Sequence, residues 1–323
     1  MFSVFTAHFN HQTPVMIMKT TALNLAIIIL CFSSKAATGD VISLYDSSSA
    51  SIPTAQGWIY LTDPLFLPEA QMALVEQGTE LNSLPNMTDK AGFFSSMPPL
   101  PAYHPGLSNP LDRMEGFELV FDIQLLEETH IREDRAGFSV IVVSDDLQGI
   151  EIGFWKDAAW GQEKKFSQAE KGRYPEAVQI KETTRFQLRV QNNRYYLLVN
   201  QTPLVSGPLR DYSGFGIPYN IPNFLFLGDD TTSAAARVII HRIFIETHTT
   251  PITVYPTLVG RHLGDFRLGW KSFVGARYRV ESTIDFKQWS PEGNTISSTD
   301  LWTTSSILSG SIGMTFWRVQ LLE

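Results

Sequence analysis

Between Gly116 and Glu163 the chain contains three successive stretches, GFELVFDIQ, AGFSVIVVS and GIEIGFW, separated by polar or glycine-bearing turns. In the first, Phe117, Leu119, Phe121 and Ile123 alternate with Glu118, Asp122 and Gln124, so one face is apolar and the other, Val120 apart, is wet. The second, Phe138 to Val143, is apolar on both faces except at Ser139, which places it deeper in a stack. In the third, Ile150, Ile152 and Phe154 point one way while Glu151, Gly153 and Trp155 point the other. A chain patterned with period two at its centre has to build sheets, and the rest reads as further strands packed around these three.

The 323 residues suffice for one large β domain and a small one. Hydrophobic residues at 43% supply a core, and 18% charged residues is low for a helical cytosolic protein. Residues 1–36 read as an export leader with an over-extended start, the true start being Met18. Lys19 precedes an apolar run from Leu23 to Phe32, and Ser34-Lys35-Ala36 presents small residues where signal peptidase cuts. The run is shorter than the roughly 20 residues of a spanning helix, so no permanent membrane span is expected after cleavage. Leu30 before Cys31 argues against lipidation. Cys31 is the single cysteine, so the mature chain forms no disulfide and depends on packing. Removing Lys19 and Lys35 leaves 23 basic against 33 acidic residues, a net charge of −10 that disfavours nucleic acid as a partner.

Along the chain, Val41–Tyr45 and Gly57–Leu61 read as strands, and Pro68–Gly78 fits either a short helix or a strand through Met72–Glu76. Ser95–Leu111 reads as a surface connection, and Lys164–Lys181 as a loop or irregular edge. Arg185–Val190 and Tyr195–Val199 form a hairpin, and Asn223–Gly228 with Arg237–Glu246 form the last strand pair before a boundary at His248–Pro251. The expected organisation is therefore a domain over 37–250 and a module over 251–323. In the module, Trp270, Tyr278, Phe286, Trp289, Trp302, Phe316 and Trp317 are available to fill a small core.

The order GFELVFDIQ, AGFSVIVVS, GIEIGFW, RFQLRVQNNRYYLLVNQTPL, FLFLGDD and ARVIIHRIFIE resembles the concanavalin A-like lectin/glucanase and laminin-G-like jelly rolls over Gly116–Glu246. The resemblance implies an all-β fold of two stacked sheets. The tail, with Tyr278-Arg279-Val280-Glu281-Ser282 and Trp289, is similar to the small fibronectin-III-like β-sandwich modules of exported bacterial proteins, which implies a spacer or anchor.

Glucanases of that superfamily carry E-x-D-x-x-E on one strand, which lines up their acids on one face. Here Glu151 matches the first position, but Gly153 and Lys156 replace the other two, so the two-carboxylate mechanism lacks its partner. Asp145, Asp146, Asp229 and Asp230 follow strong strands where lectin-like folds hold Ca2+. They read either as hard oxygen donors for that ion or as turn residues bonding their own backbone. Trp155, Trp160, Tyr212 and Tyr219 read either as stacking platforms for a sugar or as core. His104, His130, His241, His248 and His262 show no metal-ligand spacing and are expected at the surface.

The expected function is that of a secreted or cell-surface, non-catalytic binding or structural protein whose jelly roll recognises carbohydrate or a surface protein. Trp155, Trp160, Tyr212, Tyr219 and Glu151 are its candidate contacts. The alternative is a polysaccharide hydrolase or lyase using Glu118, Asp122 and Glu151. N-terminal sequencing of the protein exported by a bacterial host is expected to begin at or near Ala37. Recovery of an intact Met18 terminus in the inner membrane would reject the leader.

Overall fold

The computed structural model describes residues 40–98, 103–109, 111–247, 253–254, 256–262, 265–307 and 316–322. It also describes two three-residue strands, Val15–Ile17 and Ile29–Cys31, which pair antiparallel. The rest of residues 1–36, read above as a leader, and the boundary residues His248–Pro251 lie outside the described residues. The chain divides into two compact units, one of which is Gly39–Thr249.

That unit opens with β1 (Val41–Asp46) and β2 (Ile59–Asp63). The hairpin β3 (Gln71–Val75) and β4 (Gly78–Asn82) follows, then β5 (Lys90–Phe94). The central stretch supplies β6 (Phe117–His130), β7 (Ser139–Val143), β8 (Gln148–Phe154) and β9 (Ala158–Gln162). After β10 (Gln168–Arg173) comes the meander β11 (Thr184–Gln191), β12 (Arg194–Val199) and β13 (Thr202–Pro208). Short β14 (Arg210–Asp211), β15 (Phe224–Asp229) and long β16 (Ala234–Thr247) complete it.

Two antiparallel sheets result, and the fold is an all-β jelly-roll sandwich. The first sheet runs β10-β9-β8-β7-β15-β5-β2, with β14 paired to β8. The second runs β13-β12-β11-β6-β16-β4-β3, with β1 paired to β16. The core lies between them. Phe117, Leu119, Phe121, Ile123 and Leu125 of β6 and Phe186, Leu188 and Val190 of β11 meet Val140, Val142, Ile150, Ile152 and Phe154 of the first sheet. Phe121 stacks on Phe186 at 5.5 Å between centroids, and Phe154 sets its edge against both.

The spacing of the inward residues Val238, Ile240, Ile243 and Ile245 is explained by a bulge. Ile240 pairs with Ile123 and Arg242 with Asp122, so His241 is the extra residue. The shift reverses the alternation: Val238 and Ile240 face the core before it, Ile243 and Ile245 after it. Pairing also settles the ambiguity at Pro68–Gly78 in favour of strand. Gly78 presses on the backbone of Ile240, leaving no room for a Cβ, and a two-residue turn returns the chain along β3. Within the charged segment Lys164–Lys181, β10 forms an outer strand of the first sheet. Strands β4, β5, β9 and β13 have no counterpart among the sequence expectations. Among the histidines expected at the surface, His104 is buried with Nε2 2.9 Å from the Leu44 carbonyl, a correction explained by the Trp58 ring packed against it.

In the second unit, β17 (Thr253–Val254), β18 (Thr257–His262), β19 (Asp265–Lys271), β20 (Arg277–Thr283), β21 (Ser290–Pro291), β22 (Ile296–Ser297), β23 (Trp302–Ile307) and β24 (Phe316–Leu322) make small sheets. One runs β17-β24-β20-β21 with β22 paired to β20, the other β18-β19-β23. Trp270, Tyr278, Phe316 and Trp317 are buried, and Trp270 meets Tyr278 edge-on at 5.9 Å. Trp302 is exposed on the outer strand β23 rather than part of the core.

Truncating Phe186 to Ala removes a ring from the centre of the sandwich and is expected to lower unfolding free energy by about 3–5 kcal/mol in urea melts. Exposed Ile131→Ala is expected to stay within about 0.5 kcal/mol.

Candidate functional site

Register decides which residues share the outward face of the first sheet. Pairing aligns Leu61, Gly92, Gly228, Ser139, Gly153 and Trp160 in one row across six strands. The adjacent row holds Ile59, Phe94, Phe226, Ile141 and Glu151. Three glycines and a serine keep the first row low, and neighbouring rings use the space. The Phe226 ring lies over Gly92, and the Trp160 indole lies over Gly153, where a Cβ would come within 2.7 Å of it.

A segment from Tyr212 to Ile221 folds over part of this face. Tyr212, Tyr219 and Ile221 pack there on Ile141, Val143, Phe224 and Phe226, forming a second, smaller apolar cluster outside the sandwich. Glu151, on a face that alternation alone makes wet, is thereby buried. The Tyr219 hydroxyl donates to Glu151 Oε2 at 2.5 Å. Asp230, directly after β15, is hydrogen-bonded side chain to side chain with Glu151 and also takes a bond from the Ser139 hydroxyl.

Burial pushes the Glu151 carboxyl well up, and the neighbouring Asp230 charge adds to it. Asp230 is raised by the same desolvation, against which its backbone, Ser139, Arg135 and Lys90 pull down. Two carboxyls in contact oppose each other's ionisation, which adds to the effect of burial on Glu151. Burial and the Glu151 charge raise the Tyr219 phenol, which stays a hydrogen-bond donor. Asp229 points the other way along the strand and is buried. Its Oδ2 accepts from Ser83 Oγ at 2.5 Å and its Oδ1 from the Thr231 amide at 3.1 Å, while desolvation raises its carboxyl well above the ordinary range.

Beside the cover lies a pocket of about 480 Å3. Phe94, Phe226 and Ile141 of the sheet, Tyr219 of the cover, and Asp229 and Asp230 are among its lining residues. Lys90 and Asp63 also line it and neutralise each other at 2.6 Å.

The sequence-derived candidates fall in different places. Trp155 and Trp160 are buried and meet edge-on at 5.8 Å. Trp155 stacks on His130 at 4.3 Å, carries Lys171 Nζ 3.9 Å above its ring, and donates its indole N–H to the Arg135 carbonyl. Its ring faces are covered, so it offers no open stacking platform. Tyr212 is buried as well, donating to the Gln162 carbonyl at 2.5 Å. Of the four aromatics, Tyr219 lines the pocket.

Asp145 and Asp146 sit in the exposed β7–β8 turn, where Arg113 binds Asp146 Oδ2 at 2.8 Å and holds its carboxyl below the usual range. They do not approach Asp229 and Asp230. Phe224 pairs with Val143 and Gly228 with Ser139, so the two aspartate pairs flank opposite ends of β7, separated by roughly 16 Å at ~3.3 Å per residue. The meeting of the two loops around one cation is therefore corrected by the antiparallel register. Among the described residues no group of three or more His, Cys, Asp or Glu is arranged to hold a metal ion.

Glu118 and Asp122 lie on the second sheet, apart from Glu151. Burial pushes the Asp122 carboxyl up, but bonds and charge from Arg185 and Arg242 bring it below the ordinary value. Glu118 is bound by Arg189 and Gln187. The acid set of the alternative reading is thus divided between two sheets, while the partner that Glu151 does have, Asp230, comes from another strand's end. Isolated glycines inside strand patterns, Gly92, Gly153 and Gly228, were the available signal that rings or backbones approach closely here.

No family model matches the chain, and no curated protein matches it. Among solved structures, it is similar to a protein of unknown function with galectin-like fold from Bacillus subtilis, at 10% identity over 64% of this chain and 94% of that one, TM-score 0.39. It is also similar to the carbohydrate binding module CBM66 from Bacillus subtilis, at 10% identity over 59% and 96%, TM-score 0.34. A third is the family 7 alginate lyase A1-II', at 12% identity over 64% and 94%, TM-score 0.34. Among the described residues, no helix is long and apolar enough to cross a membrane.

A raised carboxyl sets the sign of a pH dependence. The folded state holds its proton more tightly than the unfolded chain, so this contribution is complete below about pH 4 and is lost as pH rises through the folded-state value. Asp229→Asn is therefore expected to raise the melting temperature at pH 7.5, by an amount corresponding to on the order of 1–3 kcal/mol, and to lose that advantage near pH 4. Equal melting temperatures at pH 7.5 would show that Asp229 carries no such cost.

Proposed function

We propose that the chain is an exported binding protein that takes a carbohydrate into the pocket on the outward face of the first sheet. The observation that carries this reading is the juxtaposition of Asp230 and Tyr219, held by Glu151 and Ser139, with apolar walls from Phe94, Phe226 and Ile141. A sugar ring presents C–H faces to apolar walls and hydroxyls to a few fixed polar groups, and the pocket volume falls within the range of small-molecule sites. Holding the polar groups before the ligand arrives lowers the entropic cost of binding.

The same pair gives one observation in favour of the alternative, a polysaccharide hydrolase or lyase. A carboxyl pushed up by burial and a neighbouring carboxyl is the kind a general acid needs. Against it, Glu151 and Asp230 are bonded to each other, whereas glycosidase acids stand roughly 5–9 Å apart across the bond they cleave. The binding reading is the better supported.

Glycan-array screening of the mature protein is expected to find a saccharide ligand whose affinity falls roughly tenfold or more in Asp230→Asn, a typical cost for losing a hydrogen bond to a charged group. The melting temperature serves as the folding control. Unchanged binding in that variant, or no saccharide bound, would overturn the proposal. Products released from a polysaccharide panel by the wild type and not by Glu151→Gln would establish the enzyme instead.

A further inference from the structure

The pocket opens between exposed apolar side chains. Asp229 is buried and Asp230 partly so, while Leu65 and Ile217, which also line the pocket, are 68% and 56% exposed. The apolar surface continues outward on both sides. Phe66 and Leu67 follow Leu65 at 84% and 95% exposure, and Phe215, half exposed, precedes Ile217. Three consecutive large apolar side chains left in water are unusual on a soluble domain and mark a contact surface.

These loops are built to hold that position. The Pro64–Pro68 loop is tied at its far end by Asp89 Oδ2, which accepts from the amides of Glu69 at 2.5 Å and Ala70 at 3.0 Å. The opposite loop is braced by the Phe215 ring on Phe166 at 4.6 Å and by the Asn220 amide bonded to the Gly216 carbonyl. Leu67 takes a φ of +56°, a left-handed conformation that is uncommon for such a residue.

From this apolar surface continuous with the pocket we propose that the ligand is amphiphilic, a saccharide bearing an alkyl or acyl chain. Its sugar enters the pocket, and its chain lies on the mouth formed by Leu65, Phe66, Leu67, Phe215 and Ile217. The inference rests on the carbohydrate reading of the pocket and names the class of sugar derivative. Continuity decides the occupant: Leu65 and Ile217 belong to the pocket and the mouth at once, so whatever fills the pocket and projects from it runs along them. An anionic bilayer is disfavoured by the net charge of −10 expected for the mature chain and by Asp63 and Glu69 beside the loop. Lys90, the cation at the pocket, is already paired with Asp63.

The test is calorimetric titration of the mature full chain with matched methyl and octyl β-glycosides of glucose, galactose, mannose and N-acetylglucosamine, below micellar concentration. For at least one sugar the octyl form is expected to bind tenfold or more tighter than the methyl form. The double variant Phe66→Ser/Leu67→Ser, altered at exposed positions outside the pocket lining, should lose that gain while keeping methyl glycoside affinity within about twofold. Equal affinity of both forms would overturn the inference and leave the carbohydrate reading intact. Equal binding of every octyl glycoside and of octyl tri(ethylene glycol), with no methyl glycoside bound, would overturn both, as would failure of all probes to bind. Binding to phosphatidylglycerol vesicles that is lost in the double variant, without any octyl preference, would assign the mouth to membranes. A concentration-dependent dimer dissolved by the same variant would assign it to a second copy.

Discussion

Strand β6 is the member on which the sandwich depends. It pairs with β11 along one edge and with β16 along the other, and it sends five apolar side chains into the core between those two contacts. Its outward residues could not be left bare in such a crowded sheet. Glu118 and Asp122 are accordingly neutralised by arginines from the flanking strands, Arg189 on one, Arg185 and Arg242 on the two sides of the other. The bulge at His241 lets β16 follow β6 over its length while reversing its alternation, which keeps isoleucines inward at both ends.

The opposite sheet uses its outer face differently. The Tyr212–Ile221 cover removes water from Glu151 without supplying a cation, and burial outweighs the pull of Arg135 on its carboxyl. Desolvation and the neighbouring Asp230 charge therefore push its carboxyl up. The site therefore exists because of two packing events, rings settling over glycines and a loop settling over rings. Its chemistry follows from the solvent they exclude.

Much of the fold was legible because period-two alternation survives in β6, β8, β11 and the β11–β12 hairpin, where one side faces the core and the other water. β5 was missed because Lys-Ala-Gly-Phe-Phe hides its alternation behind a glycine, and β13 because Pro203 and Gly207 weaken its pattern. The site was legible only in fragments. Glu151 stood out, but a search for its partner along the same strand could not reach Asp230, which register brings from 79 positions away. The tryptophans misled for the opposite reason. Position on a wet face says nothing of what later folds over it, and His130, Lys171 and Trp160 close around Trp155 from three other strands or turns.

Asp229 joins the pocket to the far side of the sandwich. Its carboxyl accepts a hydrogen bond from the hydroxyl of Ser83, a residue directly after β4 of the second sheet, and that hydroxyl in turn accepts from the Ala236 amide on β16. The chain of bonds crosses from the floor of a cavity in one sheet to the backbone of the other. A bound molecule that alters the charge on Asp229 alters how firmly the two sheets are fastened at this end. By reciprocity, any force that parts the sheets there changes how well the cavity holds its guest.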